Sequence, residues 1–240
     1  MNRKNDIAVQ QSGQATIEYL IVLPVLLLLF LASLQFVFIY ETKLTLNYAT
    51  FAATRSGALN NGSMKAIQDG LASGLAPLFT HGDNLQALKD ARKQADTETS
   101  DSKLTEIRII NPTPSALSEF NTSGTGIPND NLMYRDDAPG GSGMNVQDAN
   151  LLKVRVTYCA RLIIPVIKEM IYGIVVAHSQ ILSSSGGPLL STLKVDTPAS
   201  SSNFCARDAT HTDYRIPLSA DAVVRMQSPF KDPGKWTTGP

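Results

Sequence analysis

A single carboxylate, Glu18, stands at the start of a long uncharged segment, residues 19–40, which has 22 residues. That length is sufficient for a helix to cross a lipid bilayer. A carboxylate beside apolar side chains is costly unless its charge is compensated, so its position indicates a functional role. No basic residue lies between Lys4 and Lys43 in the sequence. We therefore expect the compensating charge to come from outside this segment, for example from another chain.

Residue types that often carry catalysis or bind metals are scattered along the chain. The three histidines, which lack the spacing of zinc ligands, are His81, His178 and His211. His211 and Asp213 near Cys205 resemble a nucleophile set, but three common residue types in a polar loop are weak evidence. The acidic residues of 130–137 lack the spacing of a calcium-binding helix–loop–helix. We predict no enzyme activity, no cofactor and no metal site.

The two cysteines, Cys159 and Cys205, are predicted to form a disulfide if the domain lies outside the cytoplasm, where paired thiols are usually oxidised. The bond would close a loop of about 45 residues and stabilise the fold by a few kcal/mol in the chain-entropy description. Two buried thiols are the alternative.

The charges of the chain are balanced, with 21 basic and 21 acidic side chains. The balance persists after the uncharged segment, so neither a nucleic-acid-binding surface nor a polybasic membrane patch is predicted. The uncharged segment is too long for a cleavable secretory signal, and Glu41 follows it without a small-residue cleavage site. Arg3 and Lys4 favour a cytoplasmic N-terminus, although Lys43 and Arg55 beyond the segment weaken the charge difference.

Hydropathy and turn residues divide the chain into four predicted segments. These are a leader at residues 1–13, a transmembrane and extended helix at 14–57, a domain at 58–228 and a tail at 229–240. Pro24 lies inside the helix and removes a backbone hydrogen bond, so we expect a kink there. Within the domain, residues 112–145 contain prolines and a glycine cluster and are predicted to form an irregular loop.

The domain is predicted to be α+β, with short helices and a small antiparallel sheet. β-branched runs and alternation predict strands, at residues 104–110, 151–159, 193–195 and 222–226. Helical spacing predicts helices at 64–75 and 85–95, with a polar loop at 96–102. Residues 165–182 also have helical spacing, and both a core helix and a helix at the membrane surface fit their pattern.

Small residues accompany larger ones in the second half of the long helix. Leu44, Tyr48 and Phe51 continue the helical spacing, and Ala49 and Ala53 lie between them. Small residues let a second backbone approach closely, so the helix packs either on its own domain or on helices of other chains. Both alternatives remain open from the sequence.

The segment GQATIEYLIVLP, residues 13–24, is similar to the processing region of the tight-adherence class of type IVb pilins. The longer GQATIEYLIVLPVLLLLFL resembles TadE-like pilus assembly proteins, the minor pseudopilins of that system. NYATFAATRSGA at residues 47–58 is similar to their alanine-rich segment after the membrane, and ADAVVRMQ at 220–227 to their terminal strand. Since the major pilins of this class are very small, a 240-residue chain fits a pseudopilin or assembly component better.

The resemblance implies that a prepilin peptidase cuts after Gly13, so that Gln14 becomes the first residue. Glu18 would then pair with an N-terminal amine, its own or a neighbour's, and Tyr19 would lie at the membrane interface. The implied location is the bacterial inner membrane, with the C-terminal domain in the periplasm and incorporation in the extracellular pilus as a further option. The implied role is to prime, cap or assist pilus assembly in cell adhesion and biofilm formation.

The resemblance also implies specific partners. They are the prepilin peptidase, the major Flp-type pilin, other minor pseudopilins, the inner-membrane assembly platform and the membrane itself. A pseudopilin of a type II secretion system is one alternative, and an uncleaved, signal-anchored periplasmic binding module is another. A hydrolase using His211 and Cys205 is the third.

Overall fold

The computed structural model describes residues 12–121, 124–184, 204–206 and 212–238. Six α-helices occur there: α1 (Ser12–Leu59), α2 (Met64–Leu75), α3 (Leu85–Ser100), α4 (Pro114–Phe120), α5 (Val146–Ala149) and α6 (Ile167–Ser184). The strands are β1 (Thr105–Asn111), β2 (Leu151–Arg161), β3 (Arg215–Arg225) and β4 (Thr237–Thr238). Short 3-10 helices cover Ala76–Phe79 and Leu132–Tyr134. The predicted α+β class is confirmed.

α1 is one continuous helix of 48 residues, which is about 72 Å at the rise of an α-helix. It begins two residues before the predicted start and ends two residues after the predicted end. Helical structure continues through Pro24, and the kink expected there stays a prediction. A single element therefore connects the apolar N-terminal segment to the domain.

The strands form an antiparallel sheet in the order β3-β2-β1-β4. β2 is the central long strand, and its inward side chains Leu152, Val154 and Val156 are fully buried beneath the helices. β3 pairs with β2 over 11 residues, beginning at Arg215, whereas the sequence predicted a strand only at 222–226. Pro217 lies in the first half of β3, and an edge position tolerates a proline because one side of the strand needs no ladder donor.

Two glycines allow α2 to pack closely on α1. A Cβ atom at Gly74 would lie 2.4 Å from Ala49 Cα, and one at Gly70 would lie 2.9 Å from Ala53 Cα. These glycines weaken the intrinsic helix propensity of α2, but the close contact requires them. The alternative in which the alanines of α1 pack on the chain's own domain is therefore the one that the structure contains.

Three segments differ from their predicted form. α3 extends to Ser100, so residues 96–102 are mostly helical rather than a loop, and Glu98 is buried there. Within 112–145, α4 follows Thr113, whose hydroxyl accepts a hydrogen bond from the Ala116 amide and caps the helix. In the segment predicted as a tail, Phe230 is fully buried and β4 pairs with β1. The strand predicted at 193–195 lies outside the described residues.

Candidate functional site

α1 has two faces with different surroundings. The face on the domain is buried and includes Gln35, Leu46, Ala49, Thr50, Ala53 and Thr54. The opposite face carries large side chains that stay exposed: Tyr40 at 65%, Leu44 at 50%, Tyr48 at 64% and Phe51 at 48%. They recur every three or four residues, the spacing of one side of a helix. We call these four residues the exposed α1 stripe.

The N-terminal part of α1, residues 17–34, extends away from the domain. Nearly all its large apolar side chains are exposed, from Ile17 at 65% to Leu34 at 36%. By length and composition, α1 is the one helix in the described part of the chain that could cross a membrane. Residues 17–34 span about 27 Å, close to the roughly 30 Å hydrocarbon thickness of a bilayer.

Gln35 marks the point where α1 meets the domain. Its side-chain oxygen Oε1 accepts hydrogen bonds from the backbone amides of Ile163 at 3.1 Å and Ile164 at 2.8 Å. The side chain is fully buried, and its Nε2 atom has no hydrogen-bond partner among the described residues. An amide in an otherwise apolar stretch thus fixes the β2–α6 loop to α1, directly after the exposed segment.

A buried ion pair connects α3 to the sheet. The Arg215 guanidinium donates to Glu98 Oε1 at 2.9 Å and Oε2 at 3.0 Å, and the Tyr158 hydroxyl donates to Oε2 at 2.5 Å. Burial, and then the Glu98 charge, raises the pKa of Tyr158. Burial lowers the pKa of Arg215, but the hydrogen bonds and charge of Glu98 outweigh it, so the net shift is upward. Tyr158 is therefore held in its protonated form and Arg215 in its charged form over a wide pH range.

A cleft of about 580 Å³ lies between α1, α3 and α6 next to this ion pair. Its charged and polar lining mixes both signs, through Glu41, His81, Glu98, Arg161, Lys168 and Asp213. Arg161 and Asp213 pair with each other at 3.1 Å. No group of three potential metal-ligating side chains occurs within residues 12–121, 124–184, 204–206 and 212–238.

Comparison with protein families gives one match. The family described as TadE-like protein matches residues 13–55. The N-terminal segment of this chain is TadE-like. The resemblance seen in the sequence is confirmed over these residues, and it supports a component associated with the tight-adherence pilus. Searches of curated proteins and of solved structures found no significant match for the chain.

The TadE-like match coincides with α1 and ends before α2. It therefore includes the membrane-crossing segment, Gln35 and the exposed α1 stripe, but not the α+β domain. The structure supports one long apolar N-terminal helix as a single-pass membrane anchor. Any functional inference from the family rests on this helix.

The residues predicted for processing and pairing lie at the start of the TadE-like helix. Gly13 and Gln14 belong to its first turn, and both Glu18 and Tyr19 are exposed. Their roles in cleavage and in pairing with an N-terminal amine stay predictions.

The structure joins Cys159 and Cys205 in a disulfide, with a Cα–Cα distance of 5.4 Å. The bond connects the end of β2 to the chain before β3, beside the buried Leu104. A disulfide-bonded Cys205 has no free thiol to act as the nucleophile of the hydrolase alternative. His211, its proposed partner, lies outside the described residues.

Sequence reasoning missed the ion pair of Glu98 and Arg215. The two residues are 117 positions apart; Glu98 fell in a segment predicted as a loop, and Arg215 in a segment for which no strand was predicted. The signal that could have found Glu98 is the spacing of Ala91, Ala95 and Glu98, which places the carboxylate on the buried side of α3. Sequence reasoning also did not single out Gln35. This polar side chain lies within the uncharged segment and is buried against the domain.

Proposed function

We propose that this chain is a minor pseudopilin of a tight-adherence type IVb pilus, anchored by α1 and required for filament assembly. The exposed α1 stripe is the observation that carries the proposal. It places Leu44, Tyr48 and Phe51 on the face of α1 opposite the domain. Large apolar side chains aligned along an unpartnered helix face are typical of an interaction site.

The stripe is suited to packing against the helices of other subunits. Because the described residues of the domain pack on only one face of α1, the other face is exposed over the second half of the helix as well as in the membrane segment. Helices of other subunits could therefore pack against both halves without displacing the domain. The partners we propose are the major Flp-type pilin and other minor pseudopilins, positioned by the inner-membrane assembly platform.

Processing would prepare the membrane end of α1 for assembly. We propose that a prepilin peptidase cuts after Gly13, which creates an amine at Gln14 close to Glu18. Within lipid, pairing the Glu18 carboxylate with this amine would offset its burial, and breaking such a pair costs about 3–5 kcal/mol. The pair would thereby favour one register of the subunit in the assembly.

The proposed topology has the N-terminus in the cytoplasm and the domain in the periplasm. Arg3 and Lys4 support this orientation through the preference of basic residues for the cytoplasmic side. The disulfide between Cys159 and Cys205 supports an oxidising compartment for the domain.

A matched pair of leucine substitutions tests the stripe. Leu44 on α1 and Leu88 on α3 are exposed to 50% and 53%. We expect Leu44→Glu to abolish or strongly reduce piliation while the protein accumulates in the membrane with its disulfide intact. Leu88→Glu should leave piliation unchanged. If Leu44→Glu assembles pili at the wild-type level, the stripe is not an assembly surface.

The proposed cleavage is tested by N-terminal sequencing of the membrane-fraction protein. Gln14 as the first residue supports processing, and Gly13→Leu should then leave an uncut, more slowly migrating protein. An intact leader in the wild-type protein would favour the uncleaved anchor. Glu18→Ala should be cut yet fail to assemble, and normal pili in that variant would remove the proposed role of the carboxylate. Complementation of a type II secretion defect rather than a piliation defect would favour the secretion pseudopilin.

A further inference from the structure

An apolar surface lies beside α1, separate from the exposed α1 stripe. Four side chains of the β2–α6 loop and α6 form it: Ile163, Val166, Met170 and Ile174, exposed to 57%, 53%, 53% and 67%. Met170 and Ile174 are four residues apart on one side of α6, and Val166 lies in the loop directly before the helix. We call these four residues the α6 apolar surface.

The other side of α6 is packed on the domain, which fixes which residues face outward. Ile167 is only 4% exposed, and Ile171 and Val175 pack against the hydrophobic core. The Tyr172 ring contacts the Tyr214 ring edge to face, with a centroid distance of 5.3 Å. Over residues 167–175, α6 thus has apolar side chains both toward the core and, at Met170 and Ile174, toward the outside, where Glu169 is also exposed.

The hydrogen bonds to Gln35 place the α6 apolar surface at the level where α1 leaves the exposed segment. Ile163 donates its backbone amide to Gln35 Oε1, and Gln35 directly follows residues 17–34. If these 18 residues occupy the hydrocarbon, the loop before α6 lies at the bilayer boundary. The Ile163 end of the α6 apolar surface is therefore adjacent to the part of α1 that would face lipid.

The backbone of Val166 supports a contact outside the chain. Its φ angle is 67°, in the left-handed region that a β-branched residue adopts only with strain. Glycine or asparagine would adopt this turn at lower cost. The side chain of Val166 is 53% exposed and would contribute apolar area to a lipid contact.

We propose that the α6 apolar surface rests in the interface of the same bilayer that α1 crosses. An amphipathic helix lying at the headgroup and acyl boundary binds through apolar area of this kind. A second contact beside α1 fixes the tilt and rotation of the domain relative to the membrane. The exposed α1 stripe, on the opposite side of α1, is then kept clear of the lipid surface. The proposal requires α1 to span a bilayer and does not depend on the role in a pilus.

Site-directed fluorescence tests the contact in the full-length chain reconstituted into phosphatidylcholine vesicles. A bimane label is placed on Val166→Cys or Met170→Cys, since the native cysteines are joined to each other. Ile21→Cys on the exposed segment of α1 is the lipid control, and Lys93→Cys on α3 is the aqueous control. Intact disulfide and protease resistance of each labelled protein establish that it is folded.

We expect nitroxides on the lipid acyl chain near the headgroup to quench the labels at 166 and 170 several-fold more than the label at 93. Aqueous iodide should quench them several-fold less than the label at 93. Labels at 166 and 170 that behave like the label at 93 would overturn the proposal. Protection that arises only after a second protein is added would also overturn it, because the surface would then be a protein-docking site.

Discussion

Replacing Gly74 by alanine should destabilise the domain, although alanine is the better helix former. The added Cβ would lie 2.4 Å from Ala49 Cα and 2.7 Å from Ala49 Cβ, whereas ordinary contacts begin at 3.4 Å. The nearest atom belongs to the backbone of α1, so rotating a side chain does not relieve the overlap. α1 and α2 would have to separate by about 1 Å, which disturbs a close-packed interface.

The expected magnitude follows from two opposing effects. Alanine in place of glycine inside a helix contributes about 0.8–1 kcal/mol of stability. Overpacking of a well-filled core costs about 1–3 kcal/mol, and a clash with backbone belongs at the upper end of that range. We therefore expect Gly74→Ala to lower the free energy of unfolding by about 1–2 kcal/mol.

Gly173→Ala on α6 is the matched control. No atom lies within 4 Å of a Cβ built at Gly173, so only the gain in helix propensity applies there. This variant should be about 0.5–1 kcal/mol more stable than the wild type.

Denaturant titration of the full chain in detergent micelles measures both changes. The single Trp236 reports unfolding because its ring contacts the fully buried Phe230, with a centroid distance of 5.7 Å. If Gly74→Ala stabilises the protein as Gly173→Ala does, the close contact of α1 and α2 is not the reason that position 74 requires a glycine.

Three further changes have expected outcomes. Arg215→Met leaves the Glu98 carboxylate buried without its cation and should cost about 3–5 kcal/mol, and adding Glu98→Gln should recover most of this loss in the same titration. The hydrogen bond from Arg155, opposed by burial, holds the pKa of Asp221 below its ordinary value of 3.8. The ionised carboxylate therefore stabilises the folded state above that pH, and this stabilisation is lost as the pH falls. In an acid titration, Asp221→Asn should lose less stability than the wild type below about pH 4. Cys159→Ser should lower the unfolding free energy by about 2–5 kcal/mol. Two free thiols, detected by mass spectrometry of wild-type protein purified without reductant, would contradict the bond.

Local signals predicted α1 well. The ends of α1, its apolar first half and its second half of mixed large and small residues all depend on residues close together in the sequence. Hydropathy and the 3.6-residue spacing therefore predict them directly. The TadE-like segment lies within this helix, so the family was recognisable for the same reason. The strand at 151–159 was equally clear, because alternation over a long segment is a local property.

Contacts between distant segments decided the rest. Sequence rules counted Gly70 and Gly74 against α2, and only the approach of α1 to within contact distance explains them. From the sequence, a carboxylate such as Glu98 is expected to be exposed, because a buried carboxylate needs a cationic partner. Here that partner is Arg215, which lies on another element.

The sequence by itself thus determined a helix long and apolar enough to cross a membrane, with a carboxylate at its start, and an α+β domain after it. Tertiary structure alone decided which face of α1 the domain covers, and it did so because small residues let α2 approach on one side only. It also decided where the domain meets the membrane segment, since Gln35 binds the backbone of residues 163 and 164, more than a hundred positions away. Periodicity reports which residues share a face, whereas packing determines what covers that face.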